Sequence, residues 1–154
     1  HLLVQFRYGS EAFSADIKMA YNQLKLSPEY YKYQKYLWKE GLDAQAVTIV
    51  MVIVTVIYGV KPAGNLTMAG FAKIVDAAKK IGGDTALGGD ILEKKSYKDD
   101  ILSSHFSEVE RDTAAKGLID ALSLGSMNVK AVTRSGQPPS EEVSADGKSV
   151  GVIG

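Results

Sequence analysis

The chain has no cysteine, only two histidines and no surplus of charge, with 18 basic residues against 18 acidic ones in 154 positions. Without cysteine there is neither a disulfide framework nor a thiolate metal site. His1 and His105 alone give no support to a histidine-rich zinc site. Zero net charge supplies no general attraction to nucleic acid, so any such contact must use a local basic patch. The longest apolar run, Val47–Ile57, is far short of the roughly 20 residues that cross a bilayer, and no membrane partner is expected. The sequence starts at His1 without a basic-then-apolar leader, and it reads as a piece excised from a longer polypeptide. What is present is 45% hydrophobic residues, enough for one globular domain with a real core.

The stretch Lys94–Leu102, KKSYKDDIL, concentrates the chemistry. Ile91-Leu92 leads in and Ile101-Leu102 leads out, which predicts a tight hairpin of two buried strands with an acidic turn. Side chains alternate along a strand, so Asp99 and Asp100 face one site only if a turn intervenes. Paired carboxylates at such a turn suit a hard divalent cation such as magnesium. The same dipeptide is also an ordinary turn former.

Upstream, Phe13–Ile17 reads as a buried strand carrying Asp16, which needs a cation or a buried lysine as partner. Ser27-Pro28-Glu29 signals a brief helix start. Tyr31–Trp38 alternates aromatic and polar residues like a strand with one wet face. Its lysines, Lys32 and Lys35, sit among tyrosines, a pattern that can stack bases and meet phosphates but also fits a plain half-exposed strand. Lys39–Asp43 reads as a hairpin loop, and the β-branched run Val47–Ile57 as a strand buried on both faces.

Tyr58–Asn65 is punctuation that ends on Asn65 as a helix cap. A helix is predicted over Leu66–Lys79, with Met68, Phe71, Val75 and Ala78 on one face. Ile81–Asp90, IGGDTALGGD, reads as a flexible loop. Ser107-x-x-Glu110 is a capping box opening a packing helix striped by Val109, Ala115, Leu118, Ile119 and Leu122 and closed by Gly125. Met127–Thr133 reads as a strand carrying Lys130, residues 134–148 as a mobile polar loop, and Ser149–Ile153 as a last strand. One sheet with helices on one face would bury these apolar surfaces, an α+β architecture.

Ala15-Asp16-Ile17, the stretch YGVKPAGN at Tyr58–Asn65, and Tyr97-Lys98-Asp99-Asp100 occur in that order. The set resembles the first three palm motifs of reverse transcriptases. Leu37-Trp38 and the wording of Tyr58–Asn65 are most similar to Pao/BEL-type LTR retrotransposons. Met127–Thr133 and Val150–Ile153 resemble degraded versions of the two following palm segments.

The resemblance implies a palm-like antiparallel sheet and an RNA-directed DNA polymerase, a nucleotidyltransferase that adds deoxynucleotides to a primer. By that resemblance Asp16 and Asp99 bind two Mg2+ ions (Mn2+ in their place), with Asp100 beside them as a catalytic and metal residue. Tyr21 is the aromatic gate against ribonucleotides, Tyr58 and Gly59 line the nucleotide and template, and Lys130 lies near the incoming phosphates. The partners implied are an RNA or DNA template-primer and deoxynucleoside triphosphates, in cytoplasmic element-encoded particles. Residues 1–154 would then be a partial domain. Upstream fingers, thumb and RNase H would lie outside it, and the piece alone is expected to be inactive. Lys98 departs from the small or apolar residue usual before the two aspartates, which favours as an alternative a decayed palm serving as a binding or structural module.

Overall fold

The computed structural model describes residues 4, 6–42 and 45–138. Strand β1 (Glu11–Ile17) is the spine of a sheet that also contains β4 (Ser96–Tyr97), β5 (Asp100–His105) and β6 (Val129–Arg134). The order is β4-β5-β1-β6, and every pairing in it is antiparallel. A separate two-stranded ribbon joins β2 (Lys35–Lys39) to β3 (Thr48–Val52). Three helices, α1 (Ala63–Ile81), α2 (Gly83–Lys95) and α3 (Glu108–Leu124), complete the described α+β fold.

The period-two burial of β1 decides what each sheet face does. Phe13, Ala15 and Ile17 are buried, while Ala12, Ser14 and Asp16 between them are only half-covered. Phe13, Ala15 and Ile17 join Ile101, Leu92, Leu118 and Leu122 in the main core. The helices therefore cover one face, and Asp16 stands on the other.

The α1 helix begins earlier than expected, with Pro62 rather than Asn65 at its cap. Its buried face is Ala63, Thr67, Phe71, Ile74, Val75 and Ala78, and Met68 is outside it at 48% exposure.

The predicted loop Ile81–Asp90 is instead mostly helix α2, which also takes in Ile91-Leu92. Gly88 and Gly89 within it are contact residues. A Cβ on Gly88 would collide with the Gly117 carbonyl of α3, and one on Gly117 with the Asp84 carbonyl of α2. Gly89 likewise faces Ala78 of α1, 2.9 Å from where its Cβ would be. Backbone-to-backbone approach at this distance admits no side chain, so composition that reads as loop is the packing seam of two helices.

The Ser107 hydroxyl accepts from the Glu110 N–H at 3.3 Å, and the Glu110 carboxylate accepts from the Phe106 N–H at 3.1 Å, so α3 is capped as expected. Its stripe differs, however. Val109 is exposed, whereas Arg111, Ala114, Ala115, Gly117, Leu118, Ala121 and Leu122 are buried. Arg111 is held by Glu11, by Asp112 at 3.1 Å and by the Ser135 carbonyl at 2.9 Å, tying α3 to one end of the β1–β6 pair, where β1 starts and β6 ends.

The run Val47–Ile57 is not a doubly buried strand. Only Thr48–Val52 is strand, and both faces of its ribbon are exposed. The expected brief helix after Ser27 is the 3-10 turn Pro28–Tyr33, which also takes Tyr31–Tyr33 from the expected aromatic strand and leaves Lys35–Lys39 as β2. The end of the Lys39–Asp43 loop, most of the 134–148 loop and the Ser149–Ile153 strand fall outside the described residues.

Candidate functional site

Two connections, far apart in the sequence, bring the carboxylates together. In the β1–β5 register Asp16 lies directly opposite Asp100. The Ile17 N–H donates to the Asp99 carbonyl at 3.1 Å, fixing the hairpin turn against the end of β1. Tyr97 pairs with Asp100, so Lys98 and Asp99 form a two-residue turn between β4 and β5. Lys98 takes a φ of 59°, a left-handed conformation in a hairpin position where glycine is favoured. Its ammonium lies 5.4 Å from the centroid of the Tyr97 ring.

The expected hairpin is thus present but shorter. Ile91-Leu92 belongs to α2 and not to its first strand, and Tyr97 is 64% exposed.

The carboxylates act on one another. Partial burial, then Asp99, then Asp16 push the Asp100 carboxyl above its ordinary value. Burial also raises the Tyr58 phenol, with Asp99, Tyr21 and Asp16 adding to the shift. The Tyr21 and Tyr58 rings meet edge to face with centroids 4.5 Å apart. Tyr21 is buried on a 3-10 turn (Ala20–Gln23), in a satellite core with Val56 and Ala63. Gly59 has a φ of 85° and open space around its missing Cβ, so its conformation rather than crowding calls for glycine.

Lys130 completes the cluster through a β-bulge. Asp16 pairs with Ala131 and Ile17 with Val129, which leaves Lys130 as the extra residue of β6. Its Nζ lies 3.3 Å from Asp16 Oδ2. The partner that Asp16 required is therefore a half-exposed lysine, which the phosphate role expected for Lys130 did not anticipate. No alternation pattern announces a bulge, and its signal here is only the proximity of lysine to the end of a strand.

The structure thus brings Asp16, Asp99, Asp100, Tyr21, Tyr58 and Lys130 to one end of the open sheet face. In kind the donors fit a hard divalent cation. The three carboxylates offer oxygens alone, and burial together with their mutual repulsion already disfavours the charge on Asp100. In arrangement they are not gathered around one point, because among the described residues no three His, Asp or Glu side chains form a metal-holding group.

A second polar cluster was not anticipated. Lys95 Nζ donates to Ser103 Oγ at 3.1 Å, and that oxygen lies 2.8 Å from His105 Nε2. Ser103 is fully buried, which keeps it from attacking any substrate. The i,i+2 spacing of Ser103 and His105 on a strand was its one visible signal.

No described helix is long and apolar enough to cross a membrane. No protein-family model matches the chain, and no curated protein does.

Proposed function

We propose that this chain is the palm of an RNA-directed DNA polymerase from a retrotransposon polyprotein, of the Pao/BEL type. The observation that carries the reading is the register that sets Asp16 opposite Asp100, with Asp99 bound to the end of the same strand. Three motifs matched only by their order in the sequence are brought to one sheet end, as a shared site requires.

On this reading Asp16 and Asp99, with Asp100 beside them, would hold two Mg2+ or Mn2+ ions. Such ions would supply activation of the primer 3′-hydroxyl and charge stabilisation for the leaving phosphates. The protein's own contribution is positioning. The β1–β5 ladder sets the spacing of the carboxylates, and the edge-to-face contact with Tyr58 would fix the Tyr21 ring in its role as gate against the ribonucleotide 2′-hydroxyl. Tyr58 and Gly59 line the path of the nucleotide and template. Lys130 pairs with Asp16.

The test is primer extension by the full-length enzyme that contains this chain. Asp99→Asn is expected to abolish incorporation of deoxynucleotides, and normal extension by that variant refutes the metal role of Asp99.

The Lys130–Asp16 ion pair also favours a second reading, a decayed palm in which lysine has replaced the cation for good. Lys98 at the hairpin tip points the same way. Polymerase activity in a full-length enzyme that keeps Lys98 and Lys130 excludes it.

A further inference from the structure

An apolar hollow lies apart from the carboxylate cluster, between the 3-10 turn Pro28–Tyr33 and the start of α1. It encloses about 460 Å3, with Leu26, Tyr30, Tyr33, Gln34, Val56 and Leu66 in its wall. Tyr30 and Tyr33 are three apart in a 3-10 turn, which places them on one side of it. They are 51% and 73% exposed, so their rings wall the hollow rather than fill it. Gln34 Nε2 donates to the Thr55 carbonyl at 3.1 Å, while its Oε1 is buried without a hydrogen-bond partner among the described residues.

Charge identifies the occupant. The chain is neutral overall, yet residues 25–39 carry four lysines against Glu29 alone. Lys32 Nζ lies 5.0 Å from the Tyr33 ring centroid, and Lys35 opens β2 immediately after the hollow. Further along, Tyr36 and Trp38 share one face of the exposed ribbon. Exposed rings interleaved with ammonium groups match a polyanion that also offers flat apolar faces. A nucleic-acid single strand is such a partner, because its bases are free to stack, while a duplex hides them.

We propose that this hollow and the adjoining ribbon face bind single-stranded nucleic acid. One unstacked base rests against Tyr30 and Tyr33, and the neighbouring phosphates meet Lys32 and Lys35. The inference deepens the polymerase reading and rests on it only for the identity of the strand, which would be the template ahead of the site.

The experiment is a fluorescence-anisotropy titration of the protein with a labelled oligothymidylate of about 12 nucleotides, within the usual site size. It is run in EDTA, beside the same length of duplex. The single strand is expected to bind more tightly than the duplex, with affinity falling as salt rises. Tyr33→Ala, at a position too exposed to support the fold, is expected to weaken binding roughly tenfold, the loss of one stacked base. Lys35→Ala is expected to lower the salt slope by about 0.7, one phosphate contact on a single strand. Unchanged affinity in Tyr33→Ala, duplex binding as tight as the single strand, or self-association through the ribbon in place of binding each overturns the proposal. Because no metal is present, binding kept while the full-length enzyme fails to extend a primer counts against the polymerase reading alone. Extension kept without binding at Tyr33 counts against this surface alone.

Discussion

Asp16 and Asp100 are cross-strand neighbours on β1 and β5, with Asp99 in the adjoining turn. Like charges placed opposite one another on a sheet oppose folding, and burial together with Asp99 and Asp16 raises the Asp100 carboxyl accordingly. The sign follows from linkage. The folded state holds the Asp100 proton more tightly than the unfolded one, so this group costs stability as pH rises past the ordinary carboxylate value near 3.8. Asp100→Asn should therefore raise the melting temperature at neutral pH, and the gain should shrink toward pH 4. Magnesium should stabilise the parent chain by an increment that grows with the logarithm of its concentration, and Asp100→Asn much less. Thermal melts with and without the metal measure both. A parent chain indifferent to magnesium is the result that defeats a cation site.

Lys130 separates the two functional readings. Its pair with Asp16 is half-exposed, so Lys130→Met should lower stability by no more than about 1 kcal/mol. If the lysine occupies a place that a cation can take, Lys130→Met should tighten magnesium binding, because Asp16 is released. If the cluster has become a plain ion pair, the variant gains no magnesium response. Isothermal titration at constant pH reads the difference.

How far the sequence reached follows from the length scale of each signal. Strand β1, the acidic turn and the capping box of α3 were legible because each rests on neighbouring residues alone. The α2 helix was not. Gly82-Gly83 and Gly88-Gly89 carry the composition of a loop, yet the first pair only turns the chain with positive φ in open space, and the second is explained only by the neighbouring helices. The same limit applies to Val47–Ile57, whose β-branched residues rightly signalled a strand, while its exposure depends on what the rest of the chain leaves uncovered. The Lys130 bulge is a matter of register between strands, which no local pattern encodes. The convergence of Asp16 with the hairpin was legible only through the order of the family-like motifs.

That account of the glycines makes a quantitative prediction. A Cβ at Gly88 strikes the backbone of α3, which cannot swing aside as a side chain can. Gly88→Ala should cost at least about 1–3 kcal/mol, the usual range for overpacking, despite alanine's higher helix propensity. Gly64, in the first turn of α1, has nothing within 4 Å of its missing Cβ. Gly64→Ala should be neutral or stabilising by up to about 1 kcal/mol. Urea denaturation of the pair decides the matter. Equal effects at the two positions would mean that α2 and α3 do not approach as closely as described.

The part-buried Lys95–Ser103–His105 chain sets a pH dependence on the acid side. Burial and then the Lys95 ammonium lower the His105 imidazole, with Glu110 opposing weakly, and the Phe13 ring stacks on it at 5.8 Å. A histidine held below its unfolded value of about 6.5 is neutral in the folded protein. The unfolded chain then takes up its proton first as pH falls. Stability from this group is complete above about pH 6.5 and is lost progressively below it. His105→Gln removes the titration while leaving the carboxylates unchanged. The stability difference between the parent chain and His105→Gln should therefore narrow or reverse between about pH 7.5 and about pH 5. Urea melts across that interval measure it, and two parallel stability curves would show that His105 titrates alike in both states and that its contact with Ser103 carries no preference for the neutral ring.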